Sequence, residues 1–134
     1  GKLYSPPLNA TRVLMADPAK GTVQEIGEAL GVGGGSCSGT PGTPGPDSDK
    51  WWAMLKGDDG KFYCPPCNAL RVLVIDPAAD TVQMIGPQFA GDNKWGGIAR
   101  APTGKLYCAP RDADRVLTID PATGKVEEIG ASFG

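Results

Sequence analysis

The segment "GKLYSPPLNATRVLMADPAKGTVQEIG" (1–27) decides the fold, because the chain contains it three times. "GKFYCPPCNALRVLVIDPAADTVQMIG" (60–86) and "GKLYCAPRDADRVLTIDPATGKVEEIG" (104–130) match it without a gap. Asp17, Asp76 and Asp120 are therefore one position seen three times. The copies begin 59 and 44 residues apart, which defines a unit of about 44 residues and places an insertion of 15 in the first connection. A period of this length that holds four short strands is the signature of a propeller blade.

Each copy contains the same elements. "KLY" or "KFY" is strand B, the run beginning "RVL" is strand C, and "VQEI", "VQMI" or "VEEI" is strand D. The inner strand A is expected at Trp51 to Leu55 and at Trp95 to Arg100. Strand C is apolar at successive positions, as in Val72 to Ile75, because a middle strand is covered on both faces. Strand D alternates with polar residues (Gln24, Gln83, Glu127), as suits an outer edge. Asp-Pro-Ala-Lys-Gly at 17–21 and Asp-Pro-Ala-Thr-Gly at 120–124 place Pro at the restricted turn position and Gly where a positive φ is needed. Asp80 takes that place in the middle copy, so the Asp-Pro aspartates are turn residues and not catalysts. The expected class is all-β: residues 1–30 form blade 1 without its innermost strand, 31–49 the insertion, 50–90 blade 2 and 91–134 blade 3.

Bulk properties agree. With 134 residues, 40% hydrophobic content and a net charge of −2, the chain has no electrostatic footprint for nucleic acid. No apolar run reaches the length of a membrane span. The chain is expected to be soluble, with secretion or an organelle lumen left open and the compartment unassigned.

Cys64-Pro-Pro-Cys67 resembles a redox motif, but it falls out of the repeated B-to-C loop. Cys64 aligns with Ser5 and Cys108, and Cys67 with Leu8 and Arg111. A reactive Cys-x-x-Cys takes its low pKa from a helix N-terminus, and two prolines leave none here. A zinc site would normally pair two such couples, and this chain has one and no histidine. A disulfide, Cys64 to Cys67 or through Cys37, is the alternative to free thiols packed as small hydrophobes. Tyr4, Tyr63 and Tyr107 read as core filler, and Trp51 and Trp95 as packing between blades, while Trp52 replaces Gly96 and reads as an exposed contact.

Function in such a ring sits on the face that carries the D-to-A and B-to-C connections, where the sequence varies most. The candidate binding residues are Asn9, Trp52, Asn68, Asp92, Asn93, Arg111 and Asp112, together with the Gly/Pro/Ser/Thr-rich insertion, which reads as a linker. "NAT" at 9–11 also fits the N-glycosylation pattern.

The unit "GKLYCAPRDADRVLTIDPATGKVEEIG" resembles repeats of the NHL, YVTN and streptogramin-lyase-like propellers, and tandem propeller repeats of unicellular algae. The resemblance implies fold, not activity. The lyases and related metal-dependent lactonases use histidines or metal-binding carboxylates at the channel mouth, and no histidine occurs here.

The expected function is accordingly a non-catalytic binding or scaffold module for a protein or glycan, with no cofactor and no catalytic or metal residue assigned. The alternative is a piece of a propeller lyase or hydrolase whose catalytic residues lie in other blades. Three blades do not close a ring. Two open faces of several hundred Å² would each forfeit about 10 kcal/mol at ~25 cal/mol per Å². The remaining blades of a six- or seven-bladed polypeptide are expected to cover them, or else a second copy in a homodimer.

Overall fold

The computed structural model describes residues 1–30 and 49–133, and the insertion up to residue 48, with Cys37, lies outside them. The chain is all-β, with no helix among the described residues. Blade 1 contains β1 (Leu3–Ser5), β2 (Val13–Asp17) and β3 (Thr22–Ile26). Blade 2 contains β4 (Leu55–Lys56), β5 (Phe62–Cys64), β6 (Val72–Asp76) and β7 (Thr81–Ile85). Blade 3 contains β8 (Trp95–Arg100), β9 (Leu106–Pro110), β10 (Val116–Asp120) and β11 (Lys125–Ile129). Each sheet is an antiparallel meander in chain order. The C and D strands pair in the same register throughout: Asp17 faces Thr22, Asp76 faces Thr81 and Asp120 faces Lys125.

The C-to-D hairpins follow from their sequence. The Oδ1 atoms of Asp17, Asp76 and Asp120 accept from the amides of Ala19, Ala78 and Ala122 at 3.0–3.1 Å, the Asx turn that Asp favours. Asp80 adopts a positive φ of 50°, as Gly21 and Gly124 do at 63° and 74° in the other copies.

Strand A of blade 2 is shorter than its sequence suggests. Trp51 makes only an isolated bridge to Pro66, and pairing resumes at Leu55. In blade 3 the inner strand runs from Trp95 and Gly97 pairs with Ala109. The equivalent of Ala109 in blade 2 is Pro65, which has no N–H to place in a ladder.

Two buried clusters join the sheets. The first brings Tyr4, Val13, Met15 and Leu30 of blade 1 against Trp51, Cys64, Leu73 and Ile75 of blade 2. The second brings Tyr63, Val72 and Val74 against Trp95, Leu106, Leu117 and Ile119 of blade 3. Trp51 and Trp95 are buried in these junctions as expected, and each indole donates to a backbone carbonyl, of Arg71 or Arg115, at 2.9 Å. Glycines let adjacent blades approach: a Cβ at Gly86 would lie 2.7 Å from Val126 Cβ.

Candidate functional site

The D-to-A connections and B-to-C loops gather at one end of the blades, where hydrogen bonds join them into a belt. Lys50 N donates to Leu8 O at 3.0 Å and Lys94 N to Cys67 O at 3.1 Å, linking each connection to the blade before it. The Lys50 carbonyl accepts from Cys67 N and Ala69 N, and the Lys94 carbonyl from Arg111 N and Ala113 N, linking each connection to its own blade. Asp49 and Asn93, both near φ 50°, turn the chain into these contacts.

Asn93, Arg111 and Asp112 join this belt through their main chains, and two further candidates join it through their side chains. Asn9 Oδ1 accepts from Asp49 N at 2.8 Å, and Asn68 Oδ1 accepts from Asn93 N at 2.7 Å. Their carboxamides clamp one blade to the next. Recurrence was the signal: Asn9, Asn68 and Asp112 share one position of the repeat, as the scaffold tyrosines do. The same reasoning applies to Lys50 and Lys94, both buried. Lys94 Nζ donates to Gly91 O at 2.6 Å, and burial pulls its pKa down to about 8.

Among the described residues Cys64, Cys67 and Cys108 are free thiols, so no Cys64–Cys67 bond is present, and a disulfide through Cys37 lies outside the described residues. Cys64 lies in the first junction and Cys108 in the second. Burial pushes the Cys64 and Cys67 pKa values up, and that of Cys108 to about 12. A thiol held protonated is a poor nucleophile. Among the described residues no three His, Cys, Asp or Glu side chains are grouped to hold a metal ion.

At the opposite end, Asp80 ties blades 1 and 2 together, accepting from Tyr4 Oη at 2.6 Å and Lys2 Nζ at 2.7 Å. Those bonds hold its carboxyl below the usual range. Burial, with the Asp80 bond second, raises Tyr4 to about 12. This end has the character of a structural joint.

Trp52, Asp92, Arg111 and Asp112 are exposed and Asn93 is half-buried. Trp52 is 57% exposed and shares a shallow cavity of about 310 Å³ with Ser5, Pro6, Leu8 and Trp51. In blade 3 the Trp52 position is Gly96, and the Arg111 side chain lies over it, with Cδ 3.7 Å from where a Cβ would stand. Asp92 and Asp112 line a separate cavity of about 330 Å³ with Lys94, Trp95, Asp114 and Glu128. Trp52 thus lines one cleft and Asp92 and Asp112 another, while Asn9, Asn68, Asn93 and Arg111 line neither. Ser5, Pro6, Leu8 and Asp114 were not singled out by sequence, since nothing in their type marks them.

These sheets have the architecture of propeller blades, and known structures agree. Virginiamycin B lyase from Staphylococcus aureus aligns with a TM-score of 0.65 at 15% identity, covering 99% of this chain and 39% of the lyase. A protein assigned as a 6-phosphogluconolactonase from Bacteroides uniformis aligns at 0.58 and 17% identity, over 98% of this chain and 38% of that one. An auxiliary nutrient binding protein from Bacteroides thetaiotaomicron aligns at 0.57 and 17% identity, over 97% of this chain and 33% of that one. Likeness at such identities establishes the fold alone, and the chain spans well under half the length of each. No protein-family model matches the sequence, and no curated protein matches it.

Proposed function

We propose that this chain is a non-catalytic propeller binding module that presents its B-to-C and D-to-A loop face to a protein or glycan. The exposure of Trp52 carries this reading. Among the described residues the other large exposed apolar side chains, Leu3, Leu14, Val23, Tyr107 and Phe133, all occupy positions that face a neighbouring blade elsewhere in the repeat. Trp52 instead stays 57% exposed although it stands beside Ser5, Pro6 and Leu8 of blade 1, and blade 3 has Gly96 at its position, so the repeat shows no buried counterpart for this indole. An amphipathic ring in a cleft beside Leu8 and Pro6 suits stacking on a sugar face or holding an apolar side chain.

Trp51 and Trp95 are buried, so fluorescence quenching by a ligand reports Trp52. Glycan and peptide panels screened by quenching should yield a ligand whose affinity, measured by titration calorimetry, falls at least about tenfold with Trp52→Ser, the effect of losing about 1.4 kcal/mol. A ligand that binds the Trp52→Ser chain equally well would refute the assignment. The second reading, a portion of a propeller lyase or hydrolase, is supported by the likeness to virginiamycin B lyase. Turnover of virginiamycin B or 6-phosphogluconolactone by a polypeptide that joins this chain to further blades, and not by the chain alone, would favour it.

A further inference from the structure

Two internal junctions fill one station of the loop rim with different chemistry. Trp52 and Gly96 share one position of the repeat, and Leu8, Cys67 and Arg111 share another. At the junction of blades 1 and 2, the Trp52 indole shares its cleft with Leu8 of the blade before it. At the junction of blades 2 and 3 the inner strand offers only Gly96, and the Arg111 side chain lies over the place where a larger residue would stand. Its guanidinium is within electrostatic reach of Cys67 of the blade before it: burial raises the pKa of that thiol, and Arg111 opposes the rise more than any other charge. The belt gives the spacing. Leu8 O accepts from Lys50 N and Lys50 O from Cys67 N, so the two stations stand two hydrogen-bonded steps apart, about 10 Å.

Arg111 is exposed, and its guanidinium has no hydrogen-bond or ion-pair partner among the described residues. The adjacent carboxylate, Asp112, lines the separate cleft of Asp92 and Asp114. We propose that the rim binds an acidic oligosaccharide: Trp52 stacks on one sugar ring, and Arg111, one blade further on, pairs with a carboxylate or sulfate borne by the same chain. The guanidinium presents a planar fork of donors that fits such an oxyanion. More than half of the indole faces water, which suits a ring laid on its face better than an apolar side chain, whose anchoring needs a desolvated pocket. This inference rests on the loop-face reading and narrows it from protein or glycan to a sugar chain that carries negative charge.

Titration calorimetry of the chain at low ionic strength tests it, with tetrasaccharides of polygalacturonate, alginate and carrageenan, each beside its methyl-esterified or desulfated form. At least one acidic form should bind about tenfold or more tighter than its neutral form. Binding of a uronate chain assigns the anion as carboxylate, and binding of carrageenan as sulfate. Arg111→Gln should abolish the preference for the acidic form, and Arg111→Lys, which keeps the charge without the fork, should retain part of it. Trp52→Ser should weaken the acidic and neutral forms alike. Arg100→Gln, which removes a positive charge at the opposite end of the blades, should bind as the parent does. Equal binding of acidic and neutral forms, or a preference that survives Arg111→Gln, overturns the inference; where that binding still needs Trp52, the loop-face reading stands. Failure of every acidic tetrasaccharide overturns it as well. A Glu-rich peptide in the same panel that alone binds through Trp52 and Arg111 transfers the rim to a protein ligand, and the absence of any Trp52-dependent ligand refutes both readings.

Discussion

Leu30 and Phe133 stand at the same position of the repeat, one 7% exposed and the other 67%. Leu14 and Leu73 make the same contrast on the other side of the blade: Leu73 is fully buried and Leu14 is 43% exposed. Position in the repeat sets which way a side chain points. The presence of a neighbouring blade sets whether water reaches it. Stability in this molecule therefore resides largely in junctions, and a residue's contribution depends on which blade holds it.

The sharpest way to break that contrast is Leu73→Ala against Leu14→Ala. The first should cost about 2–5 kcal/mol by leaving a cavity in a closed junction, and the second less than about 1 kcal/mol, in denaturant unfolding of the monomer. Equal costs would show that the ends are covered. Gly86→Ala should come next, at about 2–4 kcal/mol, because a positive φ of 78° and the approach of Val126 both oppose a Cβ. Gly130 shares the position and a φ of 81° but meets no atom within 4 Å, so Gly130→Ala should cost only the backbone strain of about 1–2 kcal/mol. The difference isolates blade-to-blade contact from turn geometry.

Asn68→Ala should cost about 1–3 kcal/mol by leaving Asn93 N without its acceptor, while Asp112→Ala, at the open end, should be near neutral. Thermal melts of the two variants check this. The smallest effect is the pH dependence. The three buried thiols have folded pKa values raised above the ordinary 9.0, so their contribution is intact below about pH 9 and is lost as pH climbs through the raised values. Lys94 acts oppositely: with its folded pKa near 8 and the ordinary value 10.5, its burial penalty is relieved between those values. The melting temperature should fall above pH 9, less steeply in Cys108→Ala and more steeply in Lys94→Met.

Much of this architecture was legible because a repeat tests its own reading. Three aligned copies identified the Asp-Pro turns, the buried strand C and the scaffold tyrosines before any coordinate. The same logic applied to Asn9 and Asn68 would have removed them from the candidate ligands, since a side chain that recurs at one position usually serves the frame. The shortened β4 was harder to see, because it depends on Pro65 across the sheet and not on the inner strand's own sequence. The clefts at Trp52 and at Asp92 were not legible at all: they form where loops from different blades converge, and one-dimensional spacing does not encode that convergence.

The belt at the loop end is made mostly of main-chain amides and carbonyls, with one carboxamide at each of the two internal junctions. A frame tied in this way places few demands on the identities of the residues that decorate its mouth. Gene duplication can lengthen such an array by whole units, and selection can rewrite the rim of each unit separately, so new recognition can arise without renegotiating how the units hold together.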